Sequence, residues 1–251
     1  MRAIIACRIN EITKKRFSVL TKRRNHEITM TIFVGVISQK GGVGKSTLSR
    51  LLAREYALAL WDVKIADMDI SQGTSNDWKK RRELNEIKPY VAVESFRTVS
   101  QALKHALVHD LMIFDGAPHA TKASLEIAQK SDLVVLPTGL SLDDLRPTVL
   151  LAHELIEAKI SDSNIVFALC RVGDRSNEIA EARNYIHQAG YTTLAGSLPE
   201  KTAYRRASDE GKAISEVSYL SLRKRADEVA QDIINRITEK SLYGKTTTTP
   251  T

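Results

Sequence analysis

Residues 38–47, SQKGGVGKST, follow a short apolar run and have the composition of a phosphate-binding loop. Glycines let successive backbone N–H groups turn toward one anion at the start of a helix. Lys45 is suited to contact the β- and γ-phosphates of a nucleotide, and the Ser46 hydroxyl is suited to bind Mg²⁺. The strict pattern G-x-x-x-x-G-K-[ST] fails at one position, because Gln39 replaces its first glycine. The predicted nucleotide-binding residues of this loop are Lys40, Gly41, Gly42, Val43, Gly44, Lys45, Ser46 and Thr47.

Two apolar runs end in aspartate, KIAD at 64–67 and LMIFD at 111–115. Ligands of a parallel sheet bind beyond the carboxyl ends of its strands, so these side chains are expected at one edge with the loop. Mg²⁺ prefers oxygen ligands and keeps part of its water shell, which suits a carboxylate acting through water. The predicted metal site therefore consists of Ser46, Asp67 and Asp115.

Short apolar runs alternate with amphipathic stretches, which is typical of a parallel sheet with crossover helices. The predicted fold is a doubly wound α/β sheet of the P-loop NTPase type, with helices on both faces. Strands are predicted at 31–37, 63–67, 90–93, 111–115, 133–137, 165–170 and 192–196. Helices are predicted near 45–60, 97–108, 121–130, 143–158, 176–189, 200–211 and 218–239.

The net charge of +7 is carried almost entirely by residues 1–29, which hold eight basic and two acidic residues. We expect residues 1–29 to form a basic extension, residues 30–240 a single domain and residues 241–251 a disordered tail. The extension is either a segment upstream of a start at Met30, a dispensable or DNA-contacting arm, or an organellar presequence. The only two cysteines, Cys7 and Cys170, lack the spacing of a zinc or iron–sulfur site and are expected to be free thiols.

The segment KGGVGKST resembles the deviant Walker A box of the ParA/MinD family of ATPases, and the resemblance extends from Met30 to about Val217. It implies that Lys40 reaches across an ATP-dependent homodimer to the partner's phosphates, like an arginine finger supplied in trans. KIADMDISQG resembles the family's second box, which implies that Asp69 orients the attacking water. Ile70-Ser71-Gln72 departs from the family's usual Pro-Gln, which puts a role for Gln72 in doubt.

The segment LVVLPTGLSLDDL, residues 133–145, is similar to a family strand followed by a Ser-x-x-Asp helix start on the dimer face. In LCRVGD, residues 169–174, Arg171 stands where the family usually has an asparagine near the adenine. Arg171 and Pro199 are the predicted nucleotide contacts at the base. The preference for ATP over GTP is implied by the family alone.

Basic residues recur between positions 201 and 225, and DNA-binding family members carry such residues along one surface of the dimer. The alternative is a solvated charged face. No helix-turn-helix signature is visible, so binding is expected to be non-specific. A membrane-surface anchor at the terminal helix fits its charged composition less well than a helix packed on the core. The candidate DNA-binding residues are Lys201, Arg205, Arg206, Lys212, Arg223, Lys224 and Arg225.

The resemblance implies a cytoplasmic, nucleoid-associated ATPase with ATP and Mg²⁺ as cofactors, which partitions plasmid or chromosomal DNA. A centromere-binding ParB-type protein is the expected partner that stimulates hydrolysis, and no membrane partner is expected. One alternative is a related ATPase that positions other cargo, as MinD does, or assists conjugative transfer. Another is a P-loop metabolic enzyme, although an iron-protein-like reductase would need cluster cysteines that this sequence does not have.

Overall fold

A computed structural model describes residues 31–119 and 121–243 of the chain. The predictions for residues 1–29 and for the tail beyond Tyr243 lie outside this part. The strands are β1 (Ile32–Val36), β2 (Val63–Asp67), β3 (Ala92–Ser95), β4 (Leu111–Asp115), β5 (Leu133–Thr138), β6 (Ile165–Val172) and β7 (Leu198–Pro199). The α-helices are α1 (Lys45–Leu58), α2 (Thr74–Leu84), α3 (Val99–Lys104), α4 (Thr121–Lys130), α5 (Leu142–Glu157), α6 (Ser176–Gln188), α7 (Thr202–Asp209) and α8 (Leu220–Tyr243).

The strands of this part form one parallel sheet in the order β3-β2-β4-β1-β5-β6-β7. This arrangement confirms the predicted α/β P-loop NTPase fold. The register pairs Val36 with Asp115 between β1 and β4, and Asp67 with Asp115 between β2 and β4. The two strand-ending carboxylates therefore lie side by side at the edge where β1 continues into the phosphate loop.

Side chains of the central strands alternate between two hydrophobic clusters, one on each face of the sheet. On β4, Leu111 and Ile113 join the cluster built by α1, α2, α7 and α8, whereas Met112 and Phe114 join the one built by α3 to α6. Such strands are apolar on both faces, which explains why they appear as continuous hydrophobic runs in the sequence. The alternation shows that the sheet is doubly wound.

The terminal helix α8 contributes its apolar face to the first of these clusters. Val229, Ile233, Ile234 and Ile237 are all buried there. The apolar spacing in the sequence therefore reflects packing on the core. None of the helices in residues 31–119 and 121–243 is long and apolar enough to cross a membrane.

The predicted strand 192–196 is wrong. This segment makes a single bridge, between Thr193 and Phe167, and β7 follows at Leu198–Pro199. Side chains form hydrogen bonds with backbone groups that a β-strand would use to pair with its neighbour. The Arg183 guanidinium donates to the carbonyls of residues 194–196, and the Asp232 carboxylate accepts from the Ala195 N–H.

Helix α2 was not predicted, because its sequence TSNDWKKRREL carries almost no apolar periodicity. Trp78 and Arg82 attach it to the protein instead. The Trp78 indole donates to the Lys212 carbonyl at 3.0 Å, and the Arg82 guanidinium lies over the Trp78 ring. Other boundaries moved by a few residues, as for β3, which begins at Ala92 rather than at residue 90.

Arg82 is only 1% exposed, so the basic run WKKRR is not simply a solvated face. Its guanidinium pairs with both carboxylate oxygens of Glu216, at 2.6 and 3.1 Å. It also donates to the carbonyls of Pro89 and Gly211. A charge buried with this many partners stabilises the docking of α2, because removing it leaves those partners unsatisfied.

We expect Arg82→Ala to lower the free energy of unfolding by about 3 kcal/mol or more, since it breaks a buried ion pair. Lys80→Ala, on the same helix but with a side chain that is 75% exposed, is the matched control. It should change stability by about 0.5 kcal/mol at most. Urea unfolding of the three proteins measures the difference. Equal losses in both variants would contradict the role of Arg82.

Candidate nucleotide-binding site

The phosphate loop is shaped by two glycines with positive φ. Gly42 has a φ of 74° and Gly44, which precedes α1, has a φ of 110°. A Cβ at Gly44 would also lie 3.2 Å from the Cβ of Cys170 on β6. Glycine is therefore required at position 44 by conformation and by space together. The loop delivers the free N–H groups of the α1 N-terminus to the edge of the sheet, where an anion binds favourably.

Lys45, the first residue of α1, turns its side chain back under the loop and is 7% exposed. Its Nζ donates to the Lys40 carbonyl at 2.8 Å and to the Ser38 hydroxyl at 3.3 Å. Burial lowers the pKa of Lys45, while the charges of Asp115 and Asp69 oppose that shift. A buried ammonium held by a carbonyl and a hydroxyl is pre-oriented for a phosphate, which is a stronger partner.

Asp67 ends β2 and is fully buried. Its carboxylate accepts from three backbone N–H groups, those of Asp69, Ser75 and Asn76. Burial, together with the neighbouring charge of Asp115, raises the pKa of Asp67 to about 6, although the backbone donors act in the opposite direction. Asp67 thus organises the connection from β2 into α2 through its backbone contacts and adds negative charge beside Asp115.

Asp115 ends β4 and accepts a hydrogen bond from the Ser75 hydroxyl at Oδ2, at 2.6 Å. Its Oδ1 is buried and has no hydrogen-bond partner within the residues that the structure describes. Burial raises the pKa of this carboxyl group, and the hydrogen bond from Ser75 lowers it. An unpartnered carboxylate oxygen beside a phosphate loop fits a hydrated Mg²⁺, which takes one or two protein carboxylates rather than a cage.

Ser46 directs its hydroxyl toward α2, where it lies 3.1 Å from the Thr74 hydroxyl. It also contacts Asp115 closely enough to stabilise the charged form of that carboxylate. No group of three or more His, Cys, Asp or Glu side chains suited to a metal occurs among the described residues. A serine, one carboxylate and the nucleotide's own phosphates are the ligands that Mg²⁺ uses in P-loop sites.

Asp69 closes the loop between β2 and α2. Its Oδ1 accepts from the Ser71 hydroxyl at 2.6 Å and from the Gln72 N–H at 3.1 Å. It is near enough to Lys45 to favour the charged form of that lysine. Gln72 therefore contacts Asp69 through its backbone, and the catalytic role predicted for Asp69 stays a prediction.

Lys40 forms an ion pair with Asp144 of its own chain, with 3.2 Å between Nζ and Oδ1. Asp144 also accepts from the Ser141 hydroxyl at 3.2 Å. A Cβ at Gly139 would lie 2.3 Å from Oδ2 of Asp144, so only glycine permits this approach. Ser141 does precede α5, as predicted, but its hydroxyl binds the Asp144 side chain and caps no backbone N–H.

Arg171 lies near the phosphate loop in a left-handed backbone conformation, with a φ of 55°. Its Nη1 would be 3.9 Å from a Cβ at Gly42, and its guanidinium pairs with Glu200 at 3.4 Å. Pro199 is buried in β7, next to Glu200. Neighbouring Cys170 is buried, and burial raises the pKa of its thiol to about 12. The two predicted base contacts are thus on adjacent strands beside the loop.

The structure brings Lys45, Ser46, Asp67 and Asp115 together as the sequence predicted. It adds residues that sequence reasoning missed, namely Thr74 and Ser75 at the start of α2, Arg50 on α1 and the ion pair of Asp144 with Lys40. The sequence signal for Thr74 and Ser75 was the pair of hydroxyl residues in GTSN, which follows the segment that contains Asp67 and Asp69. The candidate DNA-binding residues lie elsewhere, from the N-cap of α7 to just beyond its end and in the first two turns of α8.

A parallel sheet whose central strand leads into a glycine-rich loop and a helix, with two buried aspartates beside it, defines a P-loop nucleotide-binding protein. Residues 34–214 match the model of the CobQ/CobB/MinD/ParA nucleotide binding domain. The chain belongs to this family, which confirms the resemblance to ParA and MinD ATPases. None of the curated protein sequences matches the chain.

Solved structures share the fold at low sequence identity. The cell division ATPase MinD of Pyrococcus furiosus has a TM-score of 0.64 and 19% identity, over 82% of this chain and 99% of its own. MinD of Pyrococcus horikoshii, complexed with Mg-ADP, has a TM-score of 0.63 and 17% sequence identity, over 87% of this chain and 100% of its own. A putative plasmid partition protein of Borrelia burgdorferi, bound to AMPPNP, has a TM-score of 0.64 and 15% sequence identity, over 82% of this chain and 100% of its own.

We expect Lys45→Met to weaken ATP binding about ten- to a hundredfold, because a charge-assisted hydrogen bond contributes about 1.5–3 kcal/mol. The free energy of unfolding without nucleotide should stay equal or rise, since the change removes a poorly compensated buried charge. Lys122→Met, on an exposed position of α4, is the control and should alter neither quantity. Calorimetric titration and urea unfolding measure the two effects. Unchanged ATP affinity in Lys45→Met would show that Lys45 does not contact the nucleotide.

Proposed function

We propose that the chain is a Mg²⁺-dependent ATPase of the ParA type that partitions plasmid or chromosomal DNA in the cytoplasm. ATP drives formation of a homodimer, the dimer binds DNA non-specifically on the nucleoid, and hydrolysis releases it. A centromere-binding ParB-type protein stimulates hydrolysis. The observation that supports the ATPase most directly is the convergence of Lys45, Ser46 and the free Oδ1 of Asp115 at the N-terminus of α1.

The reaction is the attack of water on the γ-phosphate. Lys45 donates to the phosphate oxygens, Asp69 orients the water, and Ser46 and Asp115 would hold Mg²⁺. Mg²⁺, when bound, neutralises charge on the β- and γ-phosphates. Asp67 keeps the loop that carries Asp69 in place through its bond to the Asp69 N–H. Lys45, Asp67 and Asp115 are buried, and burial strengthens the electrostatic interactions that these side chains make.

Lys40 supplies the coupling of hydrolysis to dimerisation. Both members of the Lys40–Asp144 pair are partly exposed, with side-chain exposures of 38% and 26%. An exposed pair of this kind contributes about 1 kcal/mol or less, so a partner's phosphates compete for Lys40 effectively. In the single chain Asp144 holds the lysine, and in the dimer the lysine donates to the nucleotide of the other subunit.

The DNA-binding surface is proposed to consist of the basic residues on α7 and the start of α8. The Tyr204 hydroxyl on α7 donates to the Leu222 carbonyl on α8 at 2.6 Å, so the two segments are adjacent. Lys201 and Arg225 both lower the pKa of Asp174, which is exposed, so these two cations lie near each other. Arg206 and Lys224 are exposed. Cations clustered on one surface support phosphate-backbone binding, which carries no sequence preference.

We expect Lys40→Ala to bind ATP and to remain monomeric, because the cation that contacts the partner's phosphates is lost. Asp144→Ala should dimerise at lower protein concentration than the unmutated protein, since it frees Lys40. The control is Glu157→Ala, which removes an exposed carboxylate at the opposite end of the same helix. Sedimentation with a slowly hydrolysed ATP analogue distinguishes the three variants. Normal dimerisation of Lys40→Ala would disprove the action in trans.

We expect replacement of Arg205 and Arg206 by alanine to weaken DNA binding in the presence of ATP. The log–log dependence of affinity on salt should become shallower by about one or two units, since each phosphate contact contributes about 0.9 to the slope. Lys122 and Lys130, exposed on α4 across the sheet, form the matched control pair. Fluorescence anisotropy with unrelated duplexes measures the slopes. An unchanged slope would show that α7 is a solvated face.

A further inference from the structure

We infer that Arg50 is a positioning residue that couples the metal-facing carboxylate of Asp115 to the basic helix α7. The coupling runs through three hydrogen bonds: Ser75 donates to Asp115, and Arg50 donates to both Ser75 and Ser208. This inference deepens the proposed function, on which its DNA-binding consequence rests. The hydrogen-bond chain itself is independent of that proposal.

The first link fixes the direction of the Ser75 hydroxyl. Arg50 has donors only, so its Nε donates to the Ser75 Oγ, at 3.2 Å. The single hydroxyl proton of Ser75 is then free to be donated to Oδ2 of Asp115, which lies 2.6 Å from the Ser75 Oγ. The same residue donates its backbone N–H to Asp67 at 3.1 Å. Ser75 therefore orients both carboxylates and leaves Oδ1 of Asp115 facing the candidate metal position.

The second link is the guanidinium of Arg50, which lies on α1 one turn after Ser46. Arg50 is 7% exposed, and its guanidinium centre is 5.8 Å from the Trp78 ring centroid on α2. Burial lowers the pKa of Arg50, and the charge of Asp115 opposes that shift more strongly than any other carboxylate does. A planar guanidinium bridges two partners in fixed directions, which a lysine ammonium does not do.

The third link reaches α7, where Nη1 of Arg50 donates to the Ser208 hydroxyl at 2.9 Å. Ser208 follows Arg205 and Arg206 on the same short helix. A change in the charge around Asp115 alters its hold on Ser75 and hence the orientation of Arg50. Because the Arg50 guanidinium is planar and rigid, a change in its contact with Ser75 also changes its contact with Ser208. The occupied nucleotide site and the position of the two arginines are thereby linked.

The test compares Ser208→Ala with the unmutated protein by backbone hydrogen exchange of residues 202–209. Exchange is measured with a slowly hydrolysed ATP analogue, with and without Mg²⁺. We expect Mg²⁺ to change exchange in α7 of the unmutated protein, and this response to fall about threefold or more in Ser208→Ala. Ser100→Ala, the same substitution on an exposed position of α3, should respond like the unmutated protein. An equal response in Ser208→Ala, or none in the unmutated protein, overturns the inference.

Arg50→Lys keeps the charge but cannot hold both serines, and it should show the same loss as Ser208→Ala. A full response in Arg50→Lys would also overturn the inference.

A second measurement follows the affinity for unrelated DNA with and without Mg²⁺ and the analogue. In Ser208→Ala the gain in DNA affinity on adding Mg²⁺ should fall about threefold or more, with nucleotide affinity unchanged. If the unmutated protein does not bind DNA, the proposed function fails, and the exchange measurement still decides the coupling.

Discussion

Two carboxylates that end adjacent parallel strands, Asp67 and Asp115, impose the main constraint on this structure. The register of β2 and β4 places them opposite each other, and both are buried. Burying two like charges is costly unless donors surround them, and Ser75 at the start of α2 donates to both. The docking of α2 is therefore a condition of the site. Its far end is held by Trp78 and Arg82, so a helix with little apolar surface is kept in place by buried polar contacts.

Most of the sheet could be predicted, because a strand buried on both faces has to be apolar throughout. The loop and its cation were predictable for a different reason, since glycines and a following lysine act through the local backbone. Ser75 and Arg50 were not, because their contact with each other spans 25 positions of the chain and the contact of Ser75 with Asp115 spans 40. The segment 192–196 misled the prediction for the same reason. Its β-branched residues favour a strand, but Arg183 and Asp232 take its backbone groups.

The functional assignment has different supports at different levels. Family membership follows from the match over residues 34–214, and the nucleotide site from the geometry at the N-terminus of α1. The proposed dimer depends on Lys40, which in the single chain is bound by Asp144 through a contact that Gly139 makes possible. The phosphate loop thus carries two lysines: Lys45, which faces the nucleotide of its own chain, and Lys40, which is paired with Asp144. The proposed DNA binding depends on charged side chains at the surface, where the sequence constrains side-chain position least.

The short strand β7 has a consequence for how copies of this protein associate. Strand edges with free backbone groups invite pairing with another chain, and proteins protect them with short strands or charged side chains. Here the edge strand is two residues long, and the neighbouring carbonyls are already bound by Arg183. Sheet extension at this edge is therefore blocked. The proposed ATP-dependent homodimer therefore does not form by sheet extension at β7, and its contacts there have to come from loops and from the nucleotide.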